Sequence, residues 1–410
     1  MRIAYILCLL LAILGCKKNK TNTPKTYEVE GFVNQVYCTN MYFYNITTTA
    51  GQPVSTEIDF GDGSPISNNN VGYHQYNSTG TFNFKVKQIF KDGGTAEKVY
   101  PINITQLSKF RKIGTTNYNM TQLLFFPPRD RMIKGNGKVK LIGDYLNADF
   151  DFTTKSLSNV MILSGTPNGY YYWQNDNYII GHDQNSTNSY IYRLLIDTVN
   201  HTFLTPTAFT NSYTHRYDEV RYAYKHKFYW GFGNKSNAPA PGFTYYKDLI
   251  VFDATNGAVT TTLSISAVFG SMDYNIKVFN QIAYNDKLYI FCAAAQEIPP
   301  YNGGSYVVIL DLNTTTFTYH TVVGPSLIYY NTQALVVKDE IYLFGNGLDC
   351  IAYNPSTATF RTPQTDCSLT NLNSQIMLPY NNKLYCIGVY VKPKSATTSA
   401  DKVDIWEYTP

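Results

Sequence analysis

The chain has little charge and few groups suited to chemistry. Only 15% of its 410 residues are charged, and the signs nearly cancel at a net +4. Such a balance gives no basic stripe to follow a nucleic-acid backbone, so nucleic acid is not an expected partner. The six histidines are His74, His182, His201, His215, His226 and His320. None forms a His-x-x-x-His pair, and no Cys-x-x-Cys occurs, so no metal site or cofactor is implied. There is no Gly-x-Ser-x-Gly elbow and no phosphate-cradling glycine loop. Gly231-Phe232-Gly233 reads as a strand end. A carboxylate pair for glycoside hydrolysis stays open, because such pairs come from distant segments and leave no local motif. No long stretch shows apolar residues at helical spacing. After Cys16 five cysteines remain, at 38, 292, 350, 367 and 386. An odd number leaves at least one thiol outside any intramolecular bridge, and connectivity is not readable; Cys350–Cys367 is one possibility.

What the chain does have is aromatic and strand-forming: 37 Tyr and 23 Phe, with abundant Thr and Asn. These favour strands and turns. One pattern recurs six times between residues 138 and 388. A turn is followed by a short apolar strand ending near Gly, then a loop, then a strand ending in an acid or Asn. The clearest copies begin Lys287-Leu288-Tyr289-Ile290-Phe291, Glu340-Ile341-Tyr342-Leu343-Phe344-Gly345 and Lys383-Leu384-Tyr385-Cys386-Ile387-Gly388. The others begin at Lys138, Asn177 and Lys227. Successive copies lie 38 to 60 residues apart. Repeats of this size built from short strands specify a β-propeller with one blade per repeat.

Each repeat reads as four strands. Residues 281–284, 333–337 and 375–379 are examples of the innermost. The third strand ends at Asp151, Asp197, Asp253, Asp311, Asn354 or Glu407. The last repeat stops after its third strand, at Trp406-Glu407-Tyr408. Residues 108–113 (Ser-Lys-Phe-Arg-Lys-Ile) look like a fourth strand without its first three. If they complete the last blade, the ring closes with six blades and no exposed sheet edge. The other reading makes them linker. The pattern resembles the kelch repeat, an apolar strand, then Leu-Tyr-Val-x-Gly-Gly, then a strand leading to Trp. Here the double Gly is one Gly or is lost (Cys292-Ala293), and Phe stands for Trp.

Residues 27–105 carry a different signature: Asp59-Phe60-Gly61-Asp62-Gly63, then His74-Gln75-Tyr76, then Gly80-Thr81-Phe82-Asn83-Phe84-Lys85-Val86. This resembles the PKD domain, an immunoglobulin-like β-sandwich. Gly61 and Gly63 suit a tight turn, and Asp59 and Asp62 can accept hydrogen bonds from its backbone. A calcium site on the two aspartates is the rival reading, but calcium takes six or more oxygens. The expected fold is thus all-β: the sandwich followed by a six-bladed kelch-type propeller over residues 106–410.

Residues 1–16 read as a processing signal. Met1-Arg2 precedes an apolar run, residues 3–14, too short to span a bilayer. The run leads directly to Gly15-Cys16, which resembles the bacterial lipobox, where the Cys is lipidated and becomes the N-terminus. The alternative is an ordinary signal peptide that contains Cys. The lipobox implies a lipid anchor in a bacterial membrane, the outer membrane being the expected one, with the chain facing periplasm or cell surface. Residues 17–26 read as a polar tether.

In a four-stranded blade, the fourth-to-first and second-to-third connections share one face. That face would hold Arg129, Arg131, His215, Arg216, Asp218, Glu219, Tyr274, Tyr329 and Tyr330, with Tyr245, Tyr246 and Tyr301 from the second set. Tyr stacks on ligand rings and Arg forks onto carboxylates, a combination suited to sugars or peptides. An ordinary wet loop surface would carry the same residue types. Two functions remain: a non-enzymatic binding or adhesion lipoprotein whose propeller takes a glycan or protein, or a propeller enzyme acting on sugars, such as a mutarotase or glycan hydrolase. Replacing Cys16 with Ala should move the protein from the membrane fraction to the soluble fraction with its fold intact; unchanged detergent partitioning would rule out the anchor.

Overall fold

In the computed structural model, the described residues are 26–35, 40–48, 52–119, 131–134, 137–142, 146–162, 170–175, 178–184, 188–197, 202–203, 207–214, 216, 219–236, 243–265, 274–296, 303–323, 326–329, 333–345, 350–363, 376–389 and 402–410. The protein is all-β; a single 3-10 turn, Leu327–Tyr329, is the sole helical element among these residues. The chain divides into two units, Met1–Leu107 and Ser108–Pro410.

Among the described residues, the first unit holds two three-stranded antiparallel sheets. One pairs Val29–Gln35, Met41–Thr48 and Val71–Gln75; the other pairs Ser55–Asp59, Gly80–Ile89 and Thr95–Ile104. Their facing sides share one core, with Tyr44, Ile46, Ile58, Tyr76, Phe84 and Val86 buried in it. The period-2 alternation of Phe82, Phe84 and Val86 with polar residues puts their side chains on that side. The aspartates do turn chemistry: Gly61 N donates to Asp59 Oδ1 at 2.8 Å and Ser64 N to Asp62 Oδ1 at 3.1 Å. Gly61 needs its missing Cβ twice over, for a φ of 78° and for the close approach of Asn83 backbone. Asp62 Oδ2 also meets His74 Nε2 at 2.7 Å, and the His74 ring stacks on Phe60 at 3.8 Å. Tyr76 Oη donates to the Phe60 carbonyl at 3.1 Å. The two sequence signatures are therefore one contact: the His-x-Tyr strand clasps the Asp-Phe-Gly-Asp-Gly turn. Burial pulls the His74 imidazole below its ordinary value, against the opposing pull of Asp62.

Among the described residues, the second unit is a succession of six large antiparallel sheets. The third pairs Val220–Tyr224, Lys227–Gly231, Asp248–Asp253 and Val259–Ser264 in order. The fourth runs Tyr274–Tyr284, Lys287–Gln296, Gly303–Asp311, Phe317–Thr321, and the fifth runs Gln333–Val337, Glu340–Phe344, Cys350–Asn354, Thr359–Arg361. The first strands of neighbouring sheets lie beside one another in chain order. Two sheets carry more than the repeat predicts. Thr207–Thr214 adds a strand to the second sheet, and Asn234–Ser236 pairs with Phe243–Tyr245 as a separate hairpin beyond Gly231.

The acid or Asn that ends the third strand of four sheets caps the turn behind it. Thr153 N donates to Asp151 Oδ1 at 2.8 Å, Thr255 N to Asp253 Oδ1 at 2.7 Å, Asn313 N to Asp311 Oδ1 at 3.0 Å and Ser356 N to Asn354 Oδ1 at 2.9 Å. Four residues after the cap the backbone turns left-handed, at Lys155, Gly257, Thr315 and Ala358. After the three Asp caps the next residue is buried and its amide reaches the turn between the first two strands: Phe152 N to Gly137 O at 2.8 Å, Ala254 N to His226 O at 2.9 Å, Leu312 N to Asp286 O at 2.9 Å. Adjacent sheets are clasped by tyrosines that end first strands. Tyr224 Oη donates to Asp286 Oδ1 at 3.1 Å, and Tyr284 Oη to Asp339 Oδ1 at 2.8 Å.

The sixth sheet combines both ends of the unit. Ile376–Tyr380, Lys383–Val389 and Lys402–Tyr408 are completed by Phe110–Asn119. The added strand is longer than the stretch 108–113 expected from sequence, and its register places Phe110 opposite Tyr408 and Lys112 opposite Trp406. Phe110 is buried and stacks on Tyr408 at 4.5 Å. Lys112 Nζ pairs with Asp404 at 2.8 Å, and Arg111 reaches the buried Glu407, which also takes Lys383 Nζ at 3.0 Å. Burial works against the charge on Glu407, yet these donors hold its carboxyl below the ordinary value. A single core joins this sheet to the first: Val139, Phe150 and Phe152 pack with Leu378, Tyr385 and Ile405. Phe110→Ala should destabilise the 108–410 unit by about 3–5 kcal/mol in denaturant titration; a loss near zero would show that the pairing contributes nothing to the fold.

Candidate functional site

The most unusual chemistry of the described residues lies at the start of the third sheet. Arg216 sits in the connection before Val220–Tyr224, and only 5% of it is exposed. Its Cζ lies 4.6 Å from the centre of the Trp230 ring and 4.0 Å from that of Tyr246. Its Nη2 donates to Asp248 Oδ2 at 2.9 Å and its Nη1 to the Asp248 carbonyl at 3.3 Å. That carbonyl also accepts Phe232 N at 2.8 Å. A Cβ on Gly231 would fall 2.2 Å from the same oxygen, so only glycine lets the second strand come this close to the third.

A second pair lies alongside. Glu219, 6% exposed, accepts hydrogen bonds on Oε1 from the Arg221 guanidinium. The two are i and i+2, so their side chains leave the chain on one side. Arg221 faces Trp230 in the strand pairing, and its carbonyl accepts Gln281 Nε2 at 2.8 Å from the next sheet. Burial pushes the Glu219 carboxyl above its ordinary value, against the pull of Arg221 and Arg216. Its Oε2, and Arg216 Nε, are buried without a hydrogen-bond partner.

The structure thus brings together Arg216, Glu219 and Tyr246 from the expected face, and corrects how they are presented. Arg216 and Glu219 are buried, not open on a loop surface, because an arginine flanked by two aromatic rings and a carboxylate loses its route to water. The Arg216 fork is already filled by Asp248, so it does not offer itself to a ligand carboxylate. Tyr329 lies apart at the end of the 3-10 turn and is 73% exposed. Arg131, Tyr245 and Tyr274 occupy strand ends at Arg131–Lys134, Phe243–Tyr245 and Tyr274–Tyr284. Arg129, His215, Asp218, Tyr301, Tyr330 and the expected lipidation site Cys16 lie outside the described residues.

Three members of the cluster escaped sequence reasoning: Arg221, Trp230 and Asp248. The available signal was Arg221, a charge on an innermost strand otherwise apolar and aromatic. No group of three or more metal-ligating side chains occurs among the described residues. Cys292 is an apolar filler; complete burial pushes its thiol up to about 12.

No protein-family model matches the chain, and no curated protein matches it. Among solved structures, an auxiliary nutrient binding protein from Bacteroides thetaiotaomicron is 10% identical, covering 94% of this chain and 98% of its own, with a TM-score of 0.44. Another auxiliary nutrient binding protein, from Bacteroides ovatus, is 13% identical over 92% of this chain and 97% of its own, at 0.40. BamB from Moraxella catarrhalis is 11% identical over 79% and 91%, at 0.34. These scores are too low to transfer a function, so the functional reading rests on the residues themselves.

Removing one partner from a buried pair leaves the other charge stranded. Glu219→Gln should therefore destabilise the 108–410 unit by about 3 kcal/mol in denaturant titration, while Tyr329→Ala, on the exposed turn, should shift it by less than about 0.5 kcal/mol. Equal, small effects would show that the Glu219–Arg221 pair is not buried in solution.

Proposed function

We propose that this chain is a lipid-anchored, non-enzymatic binding protein. In this reading Cys16 carries the lipid and holds the protein at a bacterial outer membrane. The first unit is an immunoglobulin-like sandwich of the PKD type and acts as a spacer. The second is a six-bladed, kelch-like propeller, closed by the strand Phe110–Asn119, and is the recognition head. Its recognition end is the one where the connection before a blade meets the connection between that blade's second and third strands.

One observation carries the binding reading. At that end Arg216 is buried, paired with Asp248 and flanked by Trp230 and Tyr246. Charges neutralised against each other and locked by rings make a stiff platform with pre-organised contact groups, which favours affinity by lowering the ordering cost of binding. A reaction centre instead needs a group free to gain or lose a proton against substrate. The test displays the soluble form, starting at residue 26, to a glycan array and to a bacterial surface-protein extract. Saturable retention of an unaltered ligand from either source is expected. Chemical conversion of the retained ligand, or no retention from both, would overturn the proposal.

A further inference from the structure

Among the described residues at this end, Tyr246, Lys247 and Asp248 reach water, and Tyr246 and Asp248 are the two that Arg216 contacts. Both are half-buried, in the segment leading into the third strand of the third sheet, whereas Arg216, Glu219, Arg221 and Trp230 lie beneath them in the buried class. Arg216 touches both outer residues at once: its guanidinium lies 4.0 Å from the Tyr246 ring centre and 2.9 Å from Asp248 Oδ2. One buried cation therefore fixes the position of an aromatic ring and of a carboxylate two residues away in sequence. Asp248 gives one oxygen to Arg216, and about a third of its side chain stays open to solvent.

The charges below decide what can land there. Arg216 is matched by Asp248, and Arg221 by Glu219. Both guanidiniums of the cluster are matched by carboxylates, and the charge that Arg216 holds beside the Tyr246 ring is the Asp248 carboxylate, which disfavours an acidic ligand there; Lys247, between the two in sequence, is half-buried as well. A ring beside an outward carboxylate oxygen suits a ligand with a flat apolar C–H face and hydroxyl donors at its edge. The face stacks on Tyr246, and a hydroxyl donates to Asp248. Neutral sugar rings have this chemistry. Acidic sugars and acidic peptides do not match the charge, and an apolar peptide leaves the carboxylate unused.

We infer that Tyr246 and Asp248 form a subsite for a neutral sugar ring, with Arg216 as the positioning residue that holds both. The inference rests on the binding reading above and names the ligand class of that same end. The test compares the soluble protein from residue 26 on immobilised neutral hexose oligosaccharides, on uronic-acid oligosaccharides and on a peptide library. Neutral oligosaccharides should be retained in preference to the other two. Tyr246→Ala should weaken that retention about tenfold or more, the scale of one lost ring contact, while Tyr246→Phe keeps it. Asp248→Asn, which keeps an acceptor oxygen but loses the charge, should weaken it by a smaller factor and relieve the exclusion of uronic acids. Arg216→Lys should reduce neutral-sugar retention with the thermal transition of the fold still cooperative, because lysine keeps the charge but not the planar fork. Preference for uronic acids or peptides, or neutral-sugar retention that Tyr246→Ala leaves unchanged, would overturn the subsite while leaving a binding function standing. Failure to retain anything from all three panels would overturn both.

Discussion

The pairing of Phe110–Asn119 with Lys402–Tyr408 is the constraint on which the larger unit depends. The other five large sheets of this unit are assembled in chain order, the third with the separate hairpin Asn234–Ser236/Phe243–Tyr245 inserted between its second and third strands, so local pairing specifies them. The sixth sheet alone draws a strand from almost three hundred residues away, as the Thr115–Asp404 bond across 289 positions shows. Its side chains are chosen accordingly. Phe110 and Tyr408 stack in the interior, and two lysines and an arginine converge on Asp404 and Glu407. Without that strand, the outer edge of Lys402–Tyr408 would face water with unpaired amides, an invitation to wrong pairing.

Between sheets, the packing uses two layers of specificity. Apolar faces supply the bulk of the burial: Val220 through Leu312 in one cluster, and Tyr289 through Tyr353 in the next. Polar groups at the rims then fix the alignment of neighbours. Tyr224 and Tyr284 find aspartates in the following sheet, and Gln281 and Gln333 find backbone carbonyls on adjacent first strands. The Arg216 cluster is the extreme case, where pairing and ring contact make up for removing two arginines from water. Tyr246 and Asp248 inherit their fixed positions from it.

Much of this was legible because it is local. The first strand Gln333–Val337, the turn after it and the strand Glu340–Phe344 follow from alternation and turn residues alone. The Asp and Asn that end third strands announce their turns, since the cap is made within three residues. The strand that completes the sixth sheet was legible by elimination, although its length and register were not, because nothing in residues 114–119 marks where pairing stops. The hairpin Asn234–Ser236 with Phe243–Tyr245 and the added strand Thr207–Thr214 break the repeat and so lay outside its reach. The site was half visible. Arginine and tyrosine could be assigned to one end by topology, but the burial of Arg216 depends on Trp230, Tyr246 and Asp248, which approach it from separate segments. No spacing in the sequence encodes that convergence.

The origin of the sixth sheet also sets the order of events when the protein is made. Residues 110–119 leave the ribosome early but cannot find their partner until residues 402–408 follow. Up to that moment five sheets can form by hairpins, while the sixth stays incomplete and the core shared by Phe150 and Ile405 stays open. Folding of the unit is therefore gated by the synthesis of residues 402–408, and the long loop closure makes that step slow relative to the hairpins. A chain cut short anywhere before residue 402 keeps an unsatisfied early strand, and that defect distinguishes it from one that carries the partner strand.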